Sequence, residues 1–174
     1  MTTSLPDPAS GRGAGERASF RFLVAHPAHL IAFGFGTGLA PKAPGTVGTL
    51  LGLPLFWLIE AAASDLPNRI VLLVAAFLVG VWASARAGRA LGVADHGGIV
   101  WDEIVAFALV LVFTPPGWLS IALAFALFRL FDILKPWPIR IADARLKNGF
   151  GVMFDDLLAA IYSIAALKGL QWLV

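Results

Sequence analysis

The sequence predicts an all-α protein: a compact multi-helical integral membrane bundle of about five mostly short helical passes behind a disordered N-terminal tail. Three observations lead there. Of 174 residues, 59% are hydrophobic and 14% are charged, with a mean hydropathy of +0.82, whereas soluble domains carry about 25% charged and about 45–50% apolar residues. Long uncharged runs recur along the chain. Lysine and arginine gather on one side of the topology those runs define.

Composition also excludes several function classes. The chain has 0 Cys, so it holds no disulfide framework, thiolate metal site, Fe–S cluster or cysteine nucleophile. A formal charge of +2 and a pI near 9.4 favour anionic partners. No Lys/Arg run resembles a nucleic-acid arm, so the expected partner is the bilayer surface and not nucleic acid. Oligomeric state is not legible from these features.

The elements follow in chain order. Residues 1–19 hold Pro6, Pro8, three glycines, Arg12 and Arg17 and no apolar stretch, which predicts a disordered tail and not a signal peptide. Residues 20–174 are read as one helical membrane domain. Uncharged runs cover 43–59 (17 residues), 70–85 (16), 104–128 (25) and 157–167 (11), against the roughly 20 apolar residues of a helical crossing. The first two are single passes. The third contains Thr114-Pro115-Pro116-Gly117, where two missing backbone donors and a glycine stop a helix, so it predicts a hairpin of helices over about 99–113 and 118–134. The last run continues toward the C-terminus with only Lys168 interrupting it. With the N-terminus inside, alternating passes put 11 of the 13 cations on one face, which the positive-inside rule makes cytoplasmic.

Seven of the 11 carboxylates, Asp95, Asp102, Glu103, Asp132, Asp143, Asp155 and Asp156, fall on that same face. Ionisable groups at the hydrocarbon boundary are costly and are paired, cavity-lining or functional. Asp132 stands three residues from both Arg129 and Lys135, and either could be a simple ion pair. The doublets Asp102-Glu103 and Asp155-Asp156 sit at expected helix N-termini, where the helix dipole explains one acid each. Two acids on each of two helices plus Asp132 on a third suggest an oxygen-ligand site for a hard cation such as Mg²⁺, which takes one or two carboxylates and fills its octahedron with water and phosphate. On the same face, the 34–46 stretch GFGTGLAPKAPGT carries four glycines, two prolines, Lys42, Thr37 and Thr46. Such a loop suits an oxyanion, with Thr46 expected to cap the first membrane helix; glycines for close packing, Gly48 and Gly52 among them, are the alternative. An oxyanion loop beside a multi-carboxylate cation site predicts metal-assisted chemistry on a phosphorylated lipid.

The stretches GFGTGLAPKAPGTVGTL (34–50), DHGGIVWDEIV (95–105), FRLFDILKPWPIR (128–140) and GVMFDD (151–156) together resemble the phosphatidylglycerophosphatase A family. The resemblance implies a bacterial inner-membrane enzyme that uses Mg²⁺ to remove the terminal phosphate of phosphatidylglycerophosphate, giving phosphatidylglycerol. Ala106, Asn148 and Ala160 depart from the family pattern, each replacing a small residue with another. On this reading Asp102, Glu103, Asp132 and Asp156 are the expected catalytic acids, and with Asp155 they supply or support the metal ligands. Thr37, Lys42, Thr46 and Lys135 are the expected phosphate donors, backed by Arg129 and Arg140. Water attack and an aspartyl-phosphate route both stay open. Asp143 reads equally as a ligand or as a loop ion pair with Arg145 or Lys147, and His96 as an acid/base or, more simply, a loop hydrogen-bonding residue. His26 and His29 read as interfacial, and Trp101, Trp118, Trp137 and Trp172 as interface anchors. Two other classes compete. A phosphatidyl-transferase using a CDP-activated lipid lacks its Asp-Gly-x-x-Ala-Arg pattern here, and a cation transporter would line mid-helix positions with acids, whereas these sit at helix ends.

Overall fold

The computed structural model describes residues 18–173. Nearly all of the expected 1–19 tail lies outside the described residues. The described residues form α1 (Phe20–Val24), α2 (Pro27–Ala32), a 3-10 segment (Gly34–Leu39), α3 (Pro44–Leu50), α4 (Gly52–Ala62), α5 (Leu66–Leu91), α6 (Trp101–Val112), α7 (Trp118–Leu134), α8 (Ile139–Arg145) and α9 (Gly149–Leu173), with no strand among them.

Each boundary has a local cause. Pro54 has no N–H for the Leu50 carbonyl, and the first pass divides at Leu51 into α3 and α4. Asp65 caps α5, accepting from the Asn68 amide at 3.0 Å. α5 ends where Gly92 turns left-handed (φ 71) and returns its N–H to the last turn. The Pro-Pro-Gly turn separates α6 from α7 as its composition predicts. α9 starts at Gly149, earlier than the uncharged run, because the Asn148 Oδ1 accepts from the Gly151 amide at 2.9 Å and caps it.

Three helical stretches are long and apolar enough to cross a membrane: Pro44–Ala62, Leu66–Leu91 and Gly149–Trp172. All five expected passes are helical, but α6 has 12 residues and α7 has 17, and 12 residues rise only about 18 Å against a hydrocarbon core of about 30 Å.

Helix directions follow from side-chain neighbours. Gly45, at the start of α3, meets Glu103 and Gly52, at the start of α4, meets Ile104 and Phe107, so the α3–α4 stretch runs broadly parallel to α6. Arg129, near the end of α7, reaches Glu103 at the start of α6, so α7 runs the other way. Gly149 packs on Val81 and Ala85, placing the start of α9 beside the C-terminal part of α5. The alternation therefore matches the expected topology. α9 is the central helix: half of its apolar window is buried by protein, against 22% and 28% for the other two long stretches. It packs into one core with α6 and α7 (Phe107, Phe128, Ala159, Ala160) and into another with α5 and α6 (Leu73, Ala108, Met153). Val71, Leu78 and Leu119 point outward and are more than half exposed, as a hydrocarbon-facing belt requires. Ala106 and Ala160 are buried small residues in the first core.

Candidate active site

The carboxylates meet at the end of the bundle where α6, α7 and α9 converge. Asp102 and Glu103 are successive residues in the first turn of α6, so they diverge around the helix. Glu103 faces α3 and α7; Asp102 faces α5 and α9, where its neighbours include Leu73, Met153 and Leu157. One turn of α7 supplies Arg129 and Asp132. Asp155 and Asp156 lie in the second turn of α9 and not at its N-terminus, because Asn148 starts that helix upstream of the expected position.

Two cations divide most of the acids between them. Arg129 Nη1 lies 2.7 Å from Glu103 Oε1 and 2.7 Å from Asp132 Oδ2. It also donates to Thr49 Oγ1 at 3.3 Å. Thr49 in turn donates to the Gly45 carbonyl at 2.8 Å, which fixes α3 against the same corner. Lys135 Nζ lies 2.5 Å from Asp155 Oδ2 and 3.1 Å from Asp143 Oδ1, and Lys147 approaches Asp143 at 3.5 Å. The structure thus selects Arg129 over Lys135 as the partner of Asp132. Asp143 pairs with Lys135 and Lys147; no pair to Arg145 forms among the described residues.

Asp102 and Asp156 are 8% and 3% exposed, and neither forms an ion pair among the described residues. Asp102 accepts only the adjacent Glu103 amide at 3.0 Å. Asp156 feels like-charge repulsion from Asp102, Asp132, Asp155 and Glu103, so the five expected acids form one electrostatic group. Outside the helical passes, burial pushes the Lys135 ammonium down, but the hydrogen bond and charge of Asp155, with those of Asp143, outweigh it and raise its pKa above the ordinary lysine value. Burial likewise pushes Asp143 up, and Lys135 with Lys147 outweighs it, holding that carboxyl below 3.8.

The oxygens of this set have the chemistry of hard-cation ligands, but their geometry is not closed around one ion. Glu103 Oε2, Asp155 Oδ1 and Asp156 Oδ2 are buried oxygens without a hydrogen-bond partner among the described residues, and such groups are costly unless something satisfies them. Seven acids, Asp95, Asp102, Glu103, Asp132, Asp143, Asp155 and Asp156, face three cations, Arg129, Lys135 and Lys147. As the side chains stand, no three acid or imidazole groups among the described residues are gathered closely enough to hold one ion. Arg129 and Lys135 hold Glu103, Asp132 and Asp155 in ion pairs instead.

The expected phosphate donors divide. Arg129 and Lys135 are built into the acid cluster, so Arg129 is a central ion-pair partner and not an outer anion contact. Thr37 donates to the Gly34 carbonyl at 2.9 Å within the 3-10 segment. Lys42 and Arg140 are exposed and make no ion pair among the described residues. Thr46 is not a helix cap: it lies inside the first turn of α3, whose N-cap is Ala43 in a left-handed conformation (φ 46). The 34–46 stretch is a 3-10 segment and a helix start more than an open loop, and its glycines serve close packing. A Cβ on Gly38 would overlap the Gly98 carbonyl, and one on Gly45 would overlap the Glu103 carboxylate. Gly45 therefore brings this stretch directly against the acids, which its composition alone did not indicate.

His96 Nδ1 accepts from the Gly98 amide at 3.0 Å. His29 is buried, not interfacial, stacked on Phe22 at 4.1 Å between ring centroids. Trp101 is half-buried and donates to the Ala76 carbonyl of α5 at 3.0 Å, so it ties helices together. Trp118, Trp137 and Trp172 are exposed, at 74%, 75% and 90%. Thr49 belongs to the site and was missed, since nothing in its surroundings distinguishes it from Thr46.

Comparison with known proteins follows this geometry. A family model described as Phosphatidylglycerophosphatase A matches residues 30–171. A phosphatidylglycerophosphatase A of Haemophilus influenzae is 47% identical over 150 residues, covering 84% of this chain and 90% of the relative. One of Escherichia coli is 38% identical over 151 residues, covering 86% and 87%. A Bacteroides thetaiotaomicron protein named as a putative phosphatidylinositol-3-phosphatase is 38% identical over 153 residues, covering 83% and 94%. No solved structure matches.

Proposed function

The chain belongs to the phosphatidylglycerophosphatase A family, and on that premise we propose that it is a Mg²⁺-dependent lipid phosphatase converting phosphatidylglycerophosphate to phosphatidylglycerol at the cytoplasmic face of the bacterial inner membrane. Family membership sets aside CDP-lipid transfer and cation transport. The observation that carries the metal reading is the pair Asp102 and Asp156, both buried and without a cation partner among the described residues. Residues 20–174 act as one domain on this reading, with the cations of the positive-inside face beside the acids. Phosphatidylglycerophosphate is preferred over an inositol lipid because the family and the two phosphatidylglycerophosphatase A relatives carry that activity in their names.

Asp102 and Asp156, the buried acids that no cation holds among the described residues, would hold the ion, with Asp155 and, from the other side of α6, Glu103 in support. A bound Mg²⁺ supplies charge neutralisation at the phosphoryl oxygens and makes water a better nucleophile at neutral pH. Arg129 orients Glu103 and Asp132 through its two ion pairs. Lys135 does the same for Asp155. Asp156 takes a proton from the water as its oxygen bonds to phosphorus; the P–O bond to glycerol breaks, and Asp156 returns that proton to the leaving glycerol oxygen. The products are phosphatidylglycerol and inorganic phosphate. Lys42 and Arg140, exposed and outside the ion-pair network, would attract the anionic head group by long-range charge.

The test is inorganic phosphate release from phosphatidylglycerophosphate by detergent-purified protein. Release in Mg²⁺, loss in EDTA and recovery on adding Mg²⁺ back is the expected result. Equal rates with and without EDTA contradict the metal reading.

A further inference from the structure

Between α5, α6 and α9 lies a recess of about 430 Å³ whose lining is apolar except at one place, Asp102. Val105 and Leu109 of α6 and Leu157 of α9 line it. Val74 and Leu78 of α5 border it and are 51% and 61% exposed, so the recess opens sideways onto the face that the apolar belt presents to hydrocarbon. From Asp102 to Leu109 it follows α6 for seven residues, about 10 Å at 1.5 Å per residue.

We propose that this groove holds an acyl chain of the phospholipid substrate, running from the Asp102 end of the acid cluster into the bilayer. The proposal rests on the lipid-phosphatase reading above. A lipid whose phosphate sits at the acids must direct its chains away from the charged end and toward hydrocarbon. The recess begins at a site carboxylate, continues in the direction α6 takes into the membrane and is open to lipid along α5. An apolar groove of this kind gives binding energy to a hydrocarbon chain and nothing to a head group. It also registers the head group, because a chain seated against Leu109 and Val105 fixes how far the phosphate can rise past Asp102.

The experiment uses full-length wild-type protein in dioleoylphosphatidylcholine vesicles with two probes in turn. One is a non-hydrolysable phosphonate analogue of phosphatidylglycerophosphate with a diazirine in one acyl chain; the other is phosphatidylcholine with the same chain. Photolabelling concentrated at Val74, Leu78 and Leu109, and stronger with the first probe, is expected. Equal labelling by both probes means the groove holds bulk lipid and overturns the proposal, as does labelling spread evenly onto Leu119 and Leu123 of α7. In parallel, Val74→Trp narrows the groove and raises KM for dioleoyl substrate about tenfold with kcat retained, the size expected when an apolar pocket loses its fit. An unchanged KM in the folded variant overturns the proposal. Absence of phosphate release by wild type contradicts the proposed function, and the labelling pattern is read independently of it.

Discussion

Arg129 and Lys135 each join carboxylates from two places in the chain, and this shared arrangement organises the site. Removing one partner of a buried ion pair leaves an uncompensated charge, at a cost of about 3–5 kcal/mol. Asp143, 29% exposed at its side chain, is the member of the network at the aqueous edge. Its native pKa is held below the ordinary aspartate value because Lys135 and Lys147 outweigh its burial. A depressed carboxylate pKa contributes stability that is full above the unfolded value and is lost as pH falls through the native one. The melting temperature of wild type in detergent should therefore exceed that of Asp143→Asn at neutral pH, with the gap closing progressively as acid protonates the carboxylate. A gap that persists unchanged in acid contradicts the pairing. The sequence showed Asp132 equally spaced from two cations and could not choose between them. The choice is made by backbone: Lys135 follows the last turn of α7 in a left-handed conformation (φ 42), leaves the helical face and reaches Asp155 and Asp143.

At the scale of elements, the contact of α3 with α6 brings the glycine stretch to the acids. Gly45 stands where any side chain would meet the Glu103 carboxylate. Gly45→Ala is expected to displace Glu103 from Arg129, lower thermal stability by about 1–3 kcal/mol as overpacking does and reduce phosphate release, whereas Gly169→Ala, inside α9 with nothing within 4 Å, leaves phosphate release unchanged and raises stability by about 0.5–1 kcal/mol through helix propensity. Wild-type activity and stability in Gly45→Ala would show that this contact does not position Glu103. The long apolar helices and the Pro-Pro-Gly hairpin were legible because bilayer thickness and missing donors impose them. α1, α2 and α8, with 5, 6 and 7 residues, were not, being too short for a periodic signal. The division at Leu51 was legible in principle from Pro54. The early start of α9 depended on Asn148, a departure from the family pattern that acts as its cap.

For the molecule as a whole, the one-sided cations and the helix directions give a single prediction of topology. The native chain has no cysteine, so single-cysteine variants report without background. In bacterial spheroplasts, a membrane-impermeant maleimide should label Pro116→Cys from outside and Arg145→Cys only after lysis. Labelling of both from the same side contradicts a crossing by the short α6–α7 hairpin. The fold class, the family and the acid set were all legible from composition and motif order, because membrane insertion and charge clustering leave marks in the linear sequence. Which cation holds which acid, and that Asp102 opens onto an apolar groove, depend on helix rotation and packing, and only the structure shows them. The central claim is that the buried, cation-free carboxylates of α6 and α9 perform the hydrolysis. Phosphate release from phosphatidylglycerophosphate by Asp156→Asn, compared with wild type in Mg²⁺ and checked for folding by its melting temperature, tests this most directly. The account predicts a folded variant with activity reduced by at least about 10²-fold, as for loss of a positioned acid/base. A folded variant that releases phosphate at the wild-type rate would contradict it.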